Sequence, residues 1–367
     1  MPDAISSDLS RGHPALYVFS VAIWLKIWGN TPENAHIFAL LLSAVLLGSV
    51  YIITSKTFDP FAGLFATAMC AAQSVFLAQS GMVLPEVQVA LFSLWSLYFY
   101  AKDKIPQVSF FLAALLLTKE SGVALLGTIY IFELYKIFKD KKIIAKRVVL
   151  LLLPLLVFAA FLILQRVQLG WFFYPEHTGL MNFDFLTIHD KFIQYFSFTF
   201  IYQGRNVLFF AGVLFAIILF LKNRKPIADK QFVYLWLVFT MLYLAFSSVN
   251  FYSARYALCI MIPFLIAVSG IIGKTIQKKI FKIVILAGFI VHFVFVNLQR
   301  RDNSDQTLGY ADCVGLQQDV VNFCMDQILY ESKIYGGFLI RNSLSNALAG
   351  YTERPFLNVS KIPEKDC

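Results

Sequence analysis

The sequence predicts an all-α polytopic membrane protein: a bundle of about ten transmembrane or membrane-embedded helices followed by a small α/β tail. Three observations carry this reading. Apolar residues make up 59% of the 367 positions, and mean hydropathy is +0.69, more apolar side chain than a soluble domain of this length buries. The apolar residues gather into long stretches separated by short polar connections. Lysine and arginine collect in alternate connections, the pattern of cytoplasmic loops.

The first element is the stretch 8–29, DLSRGHPALYVFSVAIWLKIWG. Asp8, Ser10, Arg11 and His13 stand directly before Pro14. Proline is tolerated in the first turn of a helix, so Pro14 is expected to open one, with the polar cluster at its anion-attracting end. The apolar run 15–28 is shorter than the roughly 20 residues a crossing needs. It therefore reads as a helix lying in the membrane surface, with Trp24 and Trp28 at headgroup level.

Candidate helices follow at 34–54, 60–79, 84–100, 107–118, 121–135, 147–166, 206–222, 232–248, 255–273 and 280–297. The segments 107–118 and 121–135 read either as one long helix or as a short pair broken at Thr118-Lys119-Glu120-Ser121-Gly122. Basic residues fill 136–147 (Lys136, Lys139, Lys141, Lys142, Lys146, Arg147), 222–230 and 274–282, which should be cytoplasmic. Segments 167–205, 249–254 and the tail then lie outside. The broken-pair reading also puts Lys56, Lys102 and Lys104 inside and residues 12–13 and 84–86 outside. It keeps more basic residues on one side and is preferred. The aromatic loop 167–205 is too apolar for disorder and is expected to lie on the membrane as amphipathic helix. The tail is expected to hold a helix near 315–330 and a strand at 333–341. The chain thus divides into a membrane domain, 1–298, and an extracytoplasmic domain, 299–367.

The formal charge of +9 sits in short connections and implies no nucleic-acid partner. No signal-peptide pattern appears at Met1. The 38 phenylalanines suit lipid-facing helices and a pocket for an acyl or isoprenoid chain. Cys70 and Cys259 read as inert packing. Cys313, Cys324 and Cys367 stand in the tail, where an oxidising compartment would allow one disulfide and a spare. No metal-ligand spacing is present among the cysteines, and the outer loops carry no Asp-x-Asp pair; Asp302 and Asp305 lie in the tail. His177, His189 and His292 read as structural.

The order of these features resembles the GT-C superfamily of polyprenyl-phosphate-sugar glycosyltransferases, most of all the family 39 branch of protein O-mannosyltransferases and the lipid A aminoarabinose transferase. The residues that carry the resemblance are His13-Pro14-Ala15-Leu16-Tyr17 through Trp24-Leu25-Lys26-Ile27-Trp28-Gly29, the helix from Ala39 to Tyr51, the pair Ser74 to Ser80 and Leu84-Pro85-Glu86, the break Leu117-Thr118-Lys119-Glu120, and Arg255-Tyr256-Ala257-Leu258 with Pro263. It spans roughly residues 8–270. The chain departs from the family at His36, where an arginine is usual, and at Ala15, the second proline. The family has a first helix and then an outer loop carrying an acidic catalytic residue; this chain begins inside that loop, so it reads as N-terminally truncated or as starting at a late methionine.

The resemblance implies a GT-C-like bundle and inverting transfer of a hexose or pentose from a polyprenyl-phosphate donor to a glycolipid, glycan or protein acceptor. The site would face outward from the bacterial inner membrane, in contact with membrane lipids. No cofactor is required and no metal is demanded. The reaction needs a carboxylate to take the acceptor's proton and cations to hold the departing phosphate. Asp8 is the candidate base, with Asp3 behind it, set against the bland reading of ordinary terminal residues. Arg11 and His13 are candidates for phosphate or sugar, or else headgroup contacts. Glu86 is a candidate for sugar hydroxyls, or else a helix N-terminal charge. Lys119 and Glu120 interrupt an apolar stretch; ions there are costly, so they are functional or paired with each other. Arg255, followed by Tyr256, is the candidate for bidentate phosphate contact. The rivals are a transporter or lipid flippase, against which stands the lack of an inverted repeat, and a non-catalytic scaffold.

Overall fold

The computed structural model describes residues 13–221, 230–299, 304–347 and 350–361. Asp3, Asp8 and Arg11 lie outside the described residues. The chain folds as α1 (Leu16–Trp28), α2 (Pro32–Thr57), α3 (Pro60–Ala71), α4 (Ser74–Gly81), α5 (Glu86–Ala101), α6 (Ile105–Thr118), a 3-10 turn (Glu120–Gly122), α7 (Val123–Asp140), α8 (Ala145–Leu169), α9 (Pro175–Gly179), α10 (Phe185–Phe200), α11 (Arg205–Leu221), α12 (Lys230–Val249), α13 (Leu258–Thr275) and α14 (Lys279–Gln299). The tail adds α15 (Tyr310–Asp326), β1 (Ile334–Gly336), α16 (Phe338–Ser345) and β2 (Val359–Lys361).

Local signals explain the helix starts. Thr31 and Asp59 cap α2 and α3 by accepting the backbone N–H of Asn34 and Ala62, and proline occupies the first turn of both. Gly29 closes α1 at a φ of 106°, where its missing side chain removes the strain. Among the described residues, six helices are long and apolar enough to cross a membrane, or up to eight if each of two bent pairs forms one span.

The first bend departs from the expected pattern, and the second falls at the expected boundary between the 167–205 element and the helix at 206–222. The stretch 60–79, expected as one helix, is α3 and α4 turned 70° apart. Gln73 is extended there, and its amide turns back to the Met69 carbonyl. Asn297 on α14 donates to the Ala72 carbonyl that the bend exposes. A break at membrane depth needs such side-chain partners, because lipid offers none. The second bend, 77° between α10 and α11, passes Gly204 at a φ of 80°. Arg205 lies fully buried behind it, donating to the Phe198 carbonyl, Gln73 and Gln203, so one guanidinium braces both bends. The expected amphipathic element in 167–205 is α10, which exposes Phe185, Leu186 and Ile193 and buries Tyr195, Phe198 and Phe200.

The central helix is α13, buried without interruption from Leu258 to Gly270. It packs against α3, α5, α11 and α12. Gly270 lets the Phe58 ring lie flat on its backbone; a Cβ there would stand 2.5 Å from ring carbons. Gly270→Ala is therefore expected to destabilise the fold by about 1–3 kcal/mol, seen as a lower melting temperature in detergent. Gly288→Ala, which meets open space, should melt no lower than the parent.

The helices run between two ends of the bundle. Lys136 and Arg147 reach Asp103, and Arg147 and Tyr100 share Glu133, so the starts of α6 and α8 and the end of α7 lie together at the lysine-rich end. At the opposite end Gln88 on α5 donates to Thr118 at the close of α6. The segment 107–135 is thus the broken pair: α6 climbs from the lysine-rich end, the chain turns at 119–122, and α7 returns.

The tail has its own small core of Val321, Cys324, Leu344 and Phe356. The helix expected near 315–330 is α15. The strand expected at 333–341 is only the three residues of β1, paired in parallel with β2, and α16 occupies the rest. Ile340 and Leu344 supply the reason: they fall on one face of a helical turn and pack into that core. Cys313 and Cys324 both lie on α15, Cys324 as a buried free thiol, and Cys367 lies outside the described residues.

Candidate functional site

The end opposite the lysines gathers Glu86, Lys119, Glu120 and Arg255, charged residues set within or beside apolar stretches. Glu86 opens α5 directly after Pro85 and is 4% exposed. Lys119 ends α6 in extended conformation (φ −158°, ψ 137°). Successive residues in extended chain point to opposite sides, so Lys119 and Glu120 diverge. Lys119 turns into the bundle and Glu120 toward the segment before α1. The reading of these two as a mutual pair is corrected by this geometry.

Two clusters result. In the first, Lys119 Nζ lies 3.0 Å from Glu86 Oε1, and Arg255 Nε lies 3.3 Å from the same oxygen. Arg255 also donates to the Asp305 carboxylate at the start of the tail. The Lys119 ammonium sits 3.5 Å from the centre of the Tyr256 ring, a cation–π contact. Arg255 reaches this position because residues 254–257 form a 3-10 turn at the entry to α13. Glu86 Oε2 and the Tyr17 hydroxyl are both buried and have no hydrogen-bond partner among the described residues. Counting two cations against Glu86 and Asp305, the cluster is formally neutral, and each cation shares its carboxylate partner or bears on a ring.

The second cluster lies outside the first. Glu120 receives His13 Nδ1 at both oxygens, 3.0 and 3.1 Å away. The His177 ring, on α9, lies 4.7 Å from the His13 ring.

The structure thus brings together Glu86, Lys119, Arg255 and Tyr256 in one cluster and His13 with Glu120 in the other. Two residues that sequence reasoning passed over join them. Asp305, noted only as a tail residue, pairs with Arg255 and accepts from Gln79 at its main-chain carbonyl. His177, read as structural, packs on His13. His292 is structural as expected, bonded to the Gly204 carbonyl at the second bend, and His189 lies 3.2 Å from its neighbour Asp190.

No family model and no curated protein sequence matches this chain. Solved structures do. ArnT from Cupriavidus metallidurans in the apo state superposes with a TM-score of 0.60 at 13% identity, over 96% of this chain and 76% of ArnT. The same enzyme bound to undecaprenyl phosphate superposes with a TM-score of 0.59 at 14% identity and the same coverage. At this identity the likeness is one of architecture, and it extends through the membrane helices into the tail. The chain therefore has the fold of ArnT, a helical membrane bundle of the kind that the order of its motifs led us to expect.

Proposed function

We propose that this protein is a membrane glycosyltransferase that moves a sugar from a polyprenyl-phosphate donor to a lipid, glycan or protein acceptor at the outer face of the cytoplasmic membrane, with inversion. The observation that carries this reading is the paired cation cluster. Lys119 and Arg255 converge on Glu86 at one end of an ArnT-type bundle, and one of the matching ArnT structures holds undecaprenyl phosphate.

The chemistry fits that cluster. The acceptor oxygen forms a bond to the anomeric carbon on the face opposite the phosphate. The carbon–phosphate-oxygen bond breaks, its electron pair staying on the phosphate, and a carboxylate takes the acceptor's proton. Arg255 offers a planar fork for the phosphate and Lys119 a point charge, both stabilising the negative charge that grows as the phosphate leaves. Glu86 holds both cations in place, and its free oxygen can accept a sugar hydroxyl. The base is expected from the segment before His13, at Asp8 or Asp3. No cofactor enters the scheme.

The lysine-rich end is then cytoplasmic. Right-side-out vesicles carrying the protein, given radiolabelled polyprenyl-phosphate sugars from outside, are expected to transfer label to an extractable acceptor. A correctly folded protein that transfers no label from any of a panel of hexose and pentose donors would overturn the reading and favour a transporter or flippase.

A further inference from the structure

The lysine-rich end of the bundle holds a cavity that the transfer chemistry does not use. We propose that it binds one anionic phospholipid, with the phosphodiester facing Lys274 and Lys282 and the acyl chains lying along the apolar faces of α11 and α14.

The cavity measures about 540 Å³, within the roughly 300–1,000 Å³ of small-molecule sites. Four helices line it, through Asp59 and Phe61 at the start of α3, Leu219 near the end of α11, Gly273 and Lys274 at the end of α13, and Lys282 in the first turn of α14. Gly273 lets α3 seat directly on α13: a Cβ there would stand 3.2 Å from Asp59 Oδ2 and 3.4 Å from the Ala62 side chain. Lys274 lies 19 residues beyond Arg255, about 28 Å along a helix axis. The hydrocarbon core of a bilayer is roughly 30 Å thick. The cavity therefore lies at the membrane boundary opposite Glu86 and Lys119.

Among the described residues, the lining carries two lysines and one carboxylate, a formal charge of +1. Pairing Asp59 with either lysine still leaves that charge, and the single negative charge of a phosphodiester balances it. Lys274 and Lys282 are half-buried, whereas Lys278 and Lys279 between them are exposed. The Lys282 ammonium lies 4.9 Å from the centre of the Phe61 ring, which holds it against the cavity wall. A basic loop draws anionic lipid to any membrane protein through its field alone; two half-buried lysines lining one cavity select one lipid at one place. The surroundings favour a lipid over a soluble anion. Phe220, Phe281 and Ile283 adjoin lining residues in the chain and are exposed, and only 11% of the apolar stretch of α14 is buried. A lipid held here bridges α14 to α11 and α13, and α14 carries Asn297, which supports the first bend.

Native mass spectrometry of the full-length protein, delipidated in detergent, counts bound lipid and uses no sugar donor, so it tests this site apart from the transferase reading. One dioleoyl phosphatidylglycerol is expected to bind, more tightly than dioleoyl phosphatidylcholine. Lys274→Gln and Lys282→Gln should each weaken it roughly 5-fold, and together about 25-fold. Lys278→Gln/Lys279→Gln removes as much charge from the same connection and should bind nearly as the parent does. Asp59→Asn keeps an N-cap for α3 and removes the competing carboxylate, so it should bind about 2–5-fold more tightly, a gain that damage to the fold does not produce. Equal melting temperatures without lipid separate lost binding from lost folding. Excess glycerol 3-phosphate should not displace the lipid. Three results each overturn the proposal: equal retention of phosphatidylglycerol by the two lysine double variants, equal affinity for phosphatidylcholine, or displacement by glycerol 3-phosphate, the mark of a site for soluble phosphate.

Discussion

Glu86→Gln is expected to be the most damaging single substitution in the membrane domain. Glu86 is 4% exposed, and its partner Lys119 has a side chain only 9% exposed. Neutralising the carboxylate leaves Lys119 as an uncompensated cation among apolar helices and removes one of the two acceptors of Arg255. Breaking a buried ion pair by taking away one partner costs about 3–5 kcal/mol, because the remaining charge stays desolvated. Whole folds are stable by about 5–15 kcal/mol, so the loss should appear as a large fall in melting temperature and in monodisperse yield from membranes. The double variant Glu86→Gln/Lys119→Met is the sharper measurement. It removes the stranded cation together with its partner, and Arg255 keeps Asp305. It is expected to recover most of the lost stability. If the double variant is no more stable than Glu86→Gln, the pair does not hold this end of the bundle together.

That pair also marks what was legible in the sequence. Glu86, Lys119 and Arg255 stood out because charges inside apolar runs are rare and carry a cost. Their partners could then be sought among the few other charges at the same end. The helix bundle was legible for a related reason: a crossing helix must be apolar along its length, and hydropathy reads length directly. Bends are different. Nothing at Ala72-Gln73 breaks a hydropathy profile, and no proline or glycine stands there; the turn is held by Asn297, some 225 residues later. Gly204 was a visible signal for the second bend, but only the buried Arg205 behind it shows what the bend rests on. Asp305 was missed because it lies in the polar tail, where a charge is ordinary, and His177 because it lies in the connecting loop 167–205, where the sequence shows no link to His13. Their partners, Arg255 and His13, are 50 and 164 positions away, and only the folded chain brings them together.

Arg255 carries the second large prediction. If it holds the departing phosphate, Arg255→Ala should lower kcat by about 10²–10³-fold, the usual effect of losing one donor to a developing negative charge. Arg255→Lys keeps the charge and loses the fork, so it should fall between. Asp305 sharpens the test because it holds the same guanidinium from the tail. Their side chains are 24% and 34% exposed, so the pair is screened and worth at most about 1 kcal/mol. An arriving phosphate must compete with that carboxylate. Asp305→Asn is thus expected to tighten binding of polyprenyl phosphate by up to about 5-fold, with kcat little changed. The two substitutions then act in opposite directions on one cation, a pattern that general damage to the fold does not produce. Weaker binding in Asp305→Asn at an unchanged melting temperature would mean that Asp305 positions Arg255 for the phosphate and does not compete with it. Full transfer by Arg255→Ala would remove Arg255 from the phosphate site and leave Lys119 as the cation to test.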